Sequence, residues 1–234
     1  MMKTLLSWSC CALLLLAVPA QARDWFVREG ASGGDGSMSQ PFGDPWQALD
    51  KCEANDAIHV AGGKYFGRSN TGYWTTPFDG VQLIGGYDKD FKERDPWKNL
   101  TQLLWDKTSK NWPKEVRLGS NAKNTVVDGI VIDMREQNKY ADDAQTGRAA
   151  DPGQEHAMRF SMPVTVRNSV IINPGENGIV CSQGSTLENN LVLNALVWGV
   201  VINSNSAEAK SVATVKNNTI AYSYDDRAAG KGGY

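Results

Sequence analysis

Histidine is nearly absent from this chain and cysteine is scarce: its 234 residues include two histidines and four cysteines. Cys10 and Cys11 lie in the first 22 residues, which leaves Cys52 and Cys181 for the rest. There is no Cys-x-x-Cys pair, no His-Glu-x-x-His and no recognisable Ser/His/Asp motif. That removes zinc-finger and zinc-protease chemistry and gives no sign of a serine nucleophile. Neither charge sign dominates, with 24 Lys and Arg against 26 Asp and Glu and a formal net charge of −2. A surface that binds nucleic acid by neutralising phosphates needs a basic block, and none is present. Long helical periodicity is also missing.

The first 22 residues form a separate unit. Lys3 supplies a positive start, Leu13 to Val18 an apolar centre, and Ala20-Gln21-Ala22 a small-x-small cleavage site. This is the pattern of a secretory signal, and its apolar run is too short to span a bilayer comfortably. The expectation is a mature chain from Arg23, exported to the periplasm or the extracellular space, with no membrane anchor. Without Lys3 the count becomes 23 basic against 26 acidic residues, a net charge of −3. The remaining length suits one domain with a sizeable core.

What the chain does have is a stacked repeat. Val166 to Asn173, Leu187 to Asn194 and Val215 to Tyr222 align on one another, and Gly178 and Gly199 follow the first two at the same offset. The step from Asn168 to Asn189 and from Gly178 to Gly199 is 21 residues. Short β-branched runs with one Asn or Gly per turn at this period indicate a solenoid of parallel strands. Val170, Ile172, Ile179, Leu191, Leu193 and Val200 are expected to include interior residues. Asn168, Asn189 and Asn217 read as a ladder of stacked amides. Cys52 and Cys181 fall far apart along the stack, while a disulfide needs Cα atoms within about 7 Å, so two buried thiols are expected.

Upstream, Trp25-Phe26-Val27 is a short strand running into the Gly/Asp-rich loop Gly30 to Ser37. Asp44-Pro45-Trp46 is an N-cap with proline at N1, opening a short helix with Trp46, Leu49 and Cys52 on one side. Ala57 to Val60, stopped by Gly62-Gly63, and Val81 to Ile84, closed by Gly85-Gly86, continue the strands. So do Thr101 to Trp105, Glu115 to Leu118 and Thr125 to Val127. His59 alternates with Ile58 and Val60 and is read as structural.

These segments resemble a known family. Trp25-Phe26-Val27, the Gly/Asp loop, Gln40-Pro41-Phe42, the helix around Ala48-Leu49, and Asp56 to Tyr65 look like the N-terminal cap and first coil of right-handed parallel β-helix proteins. These are the pectin-lyase-like proteins, especially their secreted members. Gly85-Gly86-Tyr87, Phe91, Arg94-Asp95-Pro96 and Thr101 look like a recurring second-coil signature there. The resemblance implies an all-β, single-stranded right-handed parallel β-helix over residues 23–234, with residues 23–63 as cap and first coil. It implies no particular chemistry, because that superfamily holds lyases, hydrolases, epimerases and non-enzymatic adhesins. The final segment, Tyr224 to Tyr234, reads as a bend into a further strand. More coils and a cap are therefore expected, from a longer chain or a partner subunit.

Extending the register backwards aligns Val127 to Met134 with Val166 to Asn173, and Ala157 with Gly178. The two strands of a repeat lie 12 residues apart in the regular case and 30 apart here, so 18 residues are inserted within Arg135 to Gln154. Long insertions of this kind are usually functional or disordered. One reading makes it a substrate loop over a polysaccharide groove. Arg135, Lys139, His156 or Arg159 would then act as base or charge neutraliser. Asp128, Asp133, Asp142 and Asp143 would hold Ca²⁺, which favours several oxygens. Tyr140 and Trp198 would contact sugar. The other reading has the same charges solvating an exposed bend, with Asp128 and Asp133 bonding bend amides. The partner expected in both is an extracellular polysaccharide met by a monomer. An enzyme would cleave a uronic-acid polymer by β-elimination, and a non-catalytic surface or matrix protein would bind it.

Overall fold

The computed structural model describes residues 21–66, 73–75, 78–104, 117–134, 156–195, 197–204 and 211–223. β1 (Asp24–Val27) is followed by α1 (Pro45–Leu49), then β2 (Ala57–Ala61), β3 (Gly63–Phe66) and β4 (Tyr73–Thr75). β5 (Gln82–Tyr87), β6 (Thr101–Leu104) and β7 (Arg117–Ser120) repeat that order, as do β8 (Thr125–Asp128), β9 (Ile130–Asp133) and β10 (Met158–Phe160). β11 (Val164–Arg167), β12 (Val170–Ile172) and β13 (Ile179–Ser182) come next. β14 (Thr186–Glu188), β15 (Leu191–Leu193), β16 (Val200–Asn203), β17 (Thr214–Lys216) and β18 (Thr219–Ala221) follow.

The protein is all-β, with its described strands in three parallel sheets that the chain visits in rotation. Sheet A orders β1-β2-β5-β8-β11-β14-β17, sheet B β3-β6-β9-β12-β15-β18, and sheet C β4-β7-β10-β13-β16. The 21-residue register holds: Val166 pairs with Leu187, Val170 with Leu191, and Ile179 with Val200. The backward extension holds as well, with Val127 opposite Val166 and Val131 opposite Val170.

Side chains in register form columns that meet in one core. Sheet A contributes Trp25, Ile58, Leu83, Val127, Val166 and Leu187, each the register partner of the next. Sheet B contributes Tyr65, Leu103, Ile132, Ile171 and Val192, and sheet C Leu118, Met158 and Ile179. All are buried in a single cluster. At the far edge Val215 and Ile220, which continue the first two columns, are 47 % and 44 % exposed. A strand this short cannot bury a face alone; stacking satisfies its backbone on both sides and its apolar face in the middle.

Between sheets A and B the bends are made by residues in the left-handed region. Asn168, Asn189 and Asn217 have φ of 51°, 55° and 55°. A second bend column, after sheet B, has Asn173 at 55° and Asn194 at 56°. Asparagine tolerates this conformation better than other non-glycine residues, and its side chain bonds locally. The amides do stack: Asn189 Nδ2 donates to Asn168 Oδ1 at 2.7 Å, and Asn194 Nδ2 to Asn173 Oδ1 at 2.6 Å.

Several boundaries differ from those read in the sequence. β5 runs through Gly85-Gly86 to Tyr87. Gly85 is there because a methyl group would come within 2.5 Å of the Gly129 carbonyl oxygen, a demand of packing and not of turning. The inward residues of β12 and β15 are Ile171 and Val192; Val170, Ile172, Leu191 and Leu193 are half-buried on the outer side. The helix α1 is capped as expected. Asp44 accepts from the Trp46 N–H, Gln47 completes a capping box, and Pro45 sits in the first turn. Cys52 and Cys181 are both buried and free.

Candidate functional site

Residues 1–20, and Arg135, Lys139, Tyr140, Asp142 and Asp143 with the rest of 135–155, lie outside the described residues. Of the expected site residues this leaves Asp128, Asp133, His156, Arg159 and Trp198.

Asp128 ends β8 and is 1 % exposed. Its Oδ2 accepts from Arg167 Nε at 2.7 Å, and its Oδ1 from Asn168 Nδ2 at 2.8 Å and from Arg94 Nη2. Asp133 ends β9, and its Oδ1 accepts from Asn173 Nδ2 at 3.0 Å. Each aspartate is thus the first rung of an asparagine column. The acidic side chain supplies the acceptor that the first amide of each ladder would otherwise lack. A calcium ligand needs carboxylate oxygens turned to a shared point, and Asp128 has both engaged by cations and an amide. Among the described residues, three or more His, Cys, Asp or Glu nowhere converge as a metal site would require.

His156 and Trp198 are brought together. His156 precedes β10 and is 7 % exposed, while Trp198 precedes β16 and is 44 % exposed. Asn177, two residues before β13 and between them in the stack, bridges them: its Oδ1 accepts the backbone N–H of Trp198 at 3.1 Å, and its Nδ2 meets His156 Nδ1 at 3.0 Å. Because the Trp198 N–H fixes the amide oxygen, the amide NH₂ faces the imidazole. Nδ1 then accepts, and the neutral ring carries its proton on Nε2. Glu176 Oε2 lies 3.5 Å from the same Nδ1. A protonated His156 would turn that contact into an ion pair, at the expense of the Asn177 bond. The imidazole therefore has a partner for each charge state, as acid–base work requires. Arg159 is exposed on β10, beyond His156. Neither Glu176 nor Asn177 stands out in the sequence, though both fall one 21-residue step from the edge of the insertion.

A third group was not anticipated. On the outer side of sheet A, His59 Nε2 lies 2.8 Å from Asp24 Oδ1, and its Nδ1 lies 2.9 Å from the Tyr87 hydroxyl. Phe26 stacks on the imidazole at 5.1 Å, and Phe91 meets Phe26 edge-on at 5.0 Å. Burial pushes the Tyr87 phenol up, against the nearby Arg94 charge. His59 is thus held on both nitrogens and one face, in keeping with a structural residue. Separately, a cleft of about 570 Å³ opens beside β3 and β6, lined by Glu29, Lys64, Lys98, Asn99, Leu100 and Gln102. Its amides, ammonium groups and single carboxylate suit a hydroxylated ligand.

No family model matches this chain, and neither does any curated protein or solved structure.

Proposed function

We propose that this chain is an exported, right-handed parallel β-helix whose sheet C edge engages an acidic extracellular polysaccharide. The rotation of the chain through three sheets around one core supports the closed helix. The leader-like first 22 residues support export. One observation carries the functional reading: an exposed tryptophan and an acid–base-capable histidine are joined through Asn177, at the point where the inserted segment re-enters the sheet. Tryptophan offers the flat apolar face on which a pyranose stacks. His156 would take the proton beside a uronate carboxylate on Nδ1, giving up the Asn177 hydrogen bond, with Glu176 to stabilise the charged ring. The electron pair forms the new double bond, and the glycosidic oxygen leaves with a proton from water. Arg159 is the described cation nearest in sequence for the uronate charge.

The test incubates the secreted chain with a panel of uronic-acid polymers, following ultraviolet absorbance for new double bonds and polymer binding in parallel. The reading expects turnover that His156→Ala abolishes and Trp198→Ala weakens mainly through KM. Binding by wild type that needs Trp198, without turnover, would favour the non-catalytic alternative. The burial of His156 within a hydrogen-bonded column supports that second reading. Absence of both binding and turnover across the panel would end both.

A further inference from the structure

The boundary between the leader and the fold has its own chemistry. Gln21 and Ala22 are exposed, and the backbone is held from Arg23 onward. The Arg23 carbonyl accepts the Ala57 N–H at 3.0 Å, the rung before Asp24 pairs with Ala57. The Arg23 nitrogen points to Asp56, with N to Oδ1 at 2.8 Å. Asp56 is 3 % exposed. Its other oxygen, Oδ2, accepts from the Trp25 indole Nε1 at 2.8 Å and from the Glu53 N–H at 2.9 Å. The Arg23 guanidinium lies over the Trp25 ring, 3.8 Å from its centroid, and is directed to the indole. A buried carboxylate is therefore presented, by two fixed donors, to the one backbone nitrogen that removal of a 22-residue leader would free.

In the uncleaved chain that nitrogen is an amide with one hydrogen and no charge. Hydrolysis of the Ala22–Arg23 peptide bond adds water across it: Ala22 keeps the oxygen as a carboxylate, and Arg23 gains an ammonium group. The same 2.8 Å contact then becomes a charge-assisted bond in a partly buried ion pair. We propose that Asp56 is the receptor for the α-ammonium group of Arg23, and that cleavage after Ala22 locks β1 onto β2 by creating this pair. The proposal rests on reading the first 22 residues as an export signal.

The sign of its pH dependence follows from the groups around the pair. An ammonium whose partner forms on folding has its pKa raised above the usual α-amino value of about 7.7–8.0, so its contribution is full below that value and fades as pH rises through the raised one. Burial works against the charge of Asp56, but its donors outweigh it and hold the carboxyl below the usual range. The contribution is therefore lost again only when acid reaches that lowered value. Of the neighbours, burial and the Asp56 charge push the Cys52 thiol up to about 11, and hydrogen bonds from Ser37 hold Asp35 low. Glu53 and the Arg23 guanidinium are the other charged groups beside the pair.

The test has two arms. In the first, the N-terminus of protein exported by a bacterial host is sequenced: Arg23 is expected, and another start, or an uncut chain, overturns the proposal at the export step. In the second, purified protein beginning at Arg23 is compared with protein carrying a Gly-Ser extension before Arg23, by urea unfolding across pH. The Arg23 form is expected to have a folding equilibrium constant about tenfold larger or more at neutral pH. That advantage should disappear at alkaline pH and in an Asp56→Asn background. Equal stability of the two forms at neutral pH, or an advantage independent of pH, overturns the docking of the ammonium group whatever the first arm gives. The comparison of termini needs no core substitution, so a poorly folding Asp56→Asn protein would leave it decisive.

Discussion

Ile171 and Ile172 are adjacent, chemically identical and oppositely placed, which makes them a controlled test of the fold. Ile171 is fully buried, and its register partners Ile132 and Val192 are buried with it. Ile172 lies half-buried on the outer side of sheet B, between Asp133 and Leu193. Truncating Ile171 to Ala removes three buried carbons and leaves a cavity. The walls of that cavity are β-branched residues on strands clamped by the parallel ladder, so it cannot collapse easily. Isoleucine-to-alanine changes in cores cost about 2–5 kcal/mol, and the rigid walls place Ile171→Ala at about 3–4 kcal/mol. Ile172→Ala loses only part of the same transfer term and leaves no enclosed void, about 1 kcal/mol. Urea unfolding of both variants against wild type, with unchanged m-values, reads the difference directly. Equal losses, or a larger loss at Ile172, would refute the placement of the two side chains and with it the inner columns of sheet B.

Two further outcomes follow from charged groups. Asp128→Asn keeps the shape of the side chain but strips the counter-charge from Arg94 and Arg167, and should cost about 1–3 kcal/mol because both guanidiniums are partly exposed; a loss under about 0.5 kcal/mol in denaturant unfolding would show that solvent already satisfies them. Burial raises the Asp44 carboxyl to about 7, against the N–H groups of Trp46 and Phe66, so the folded state holds an extra proton from the usual carboxylate range up to that pH. Wild-type stability relative to Asp44→Asn, an equally good cap, should fall by about 1–2 kcal/mol across that window and level off above it; parallel pH profiles for the two proteins would refute this.

The repeat was legible because the chain turns in the same way each time it passes from sheet A to sheet B. That turn uses a left-handed residue, and asparagine marks it at 168, 189 and 217. The same residue explains the misplaced interior of β12 and β15. Alternation runs inward at Val166 and outward at Arg167, but the left-handed step at Asn168 resets it, and Ser169 points inward again. Counting by twos across the bend therefore lands on Val170 and Ile172 instead of Ile171. The glycines misled for a related reason. At Gly85 the missing side chain makes room for the neighbouring backbone inside a strand, while in the sequence it looks like a stop.

The polar groups were unequally legible because only some of them are stacked by the 21-residue step. His156, Asn177 and Trp198 lie on regular steps of 21 residues, which stack them at one edge of sheet C. Asp24, His59 and Tyr87 do not. Their separations of 35 and 28 residues come from the cap and the longer second circuit, so no period in the sequence aligns them. The aspartates show the converse case. Asp128 and Asp133 have the residue type and flanking position of metal ligands. Yet each lies beside a bend where the next strand carries an asparagine side chain needing an acceptor, Asn168 for Asp128 and Asn173 for Asp133. A carboxylate in a stacked fold is decided by what lies above and below it. At Asp128 that neighbourhood is two arginines and an amide, which makes it the anchor of a ladder.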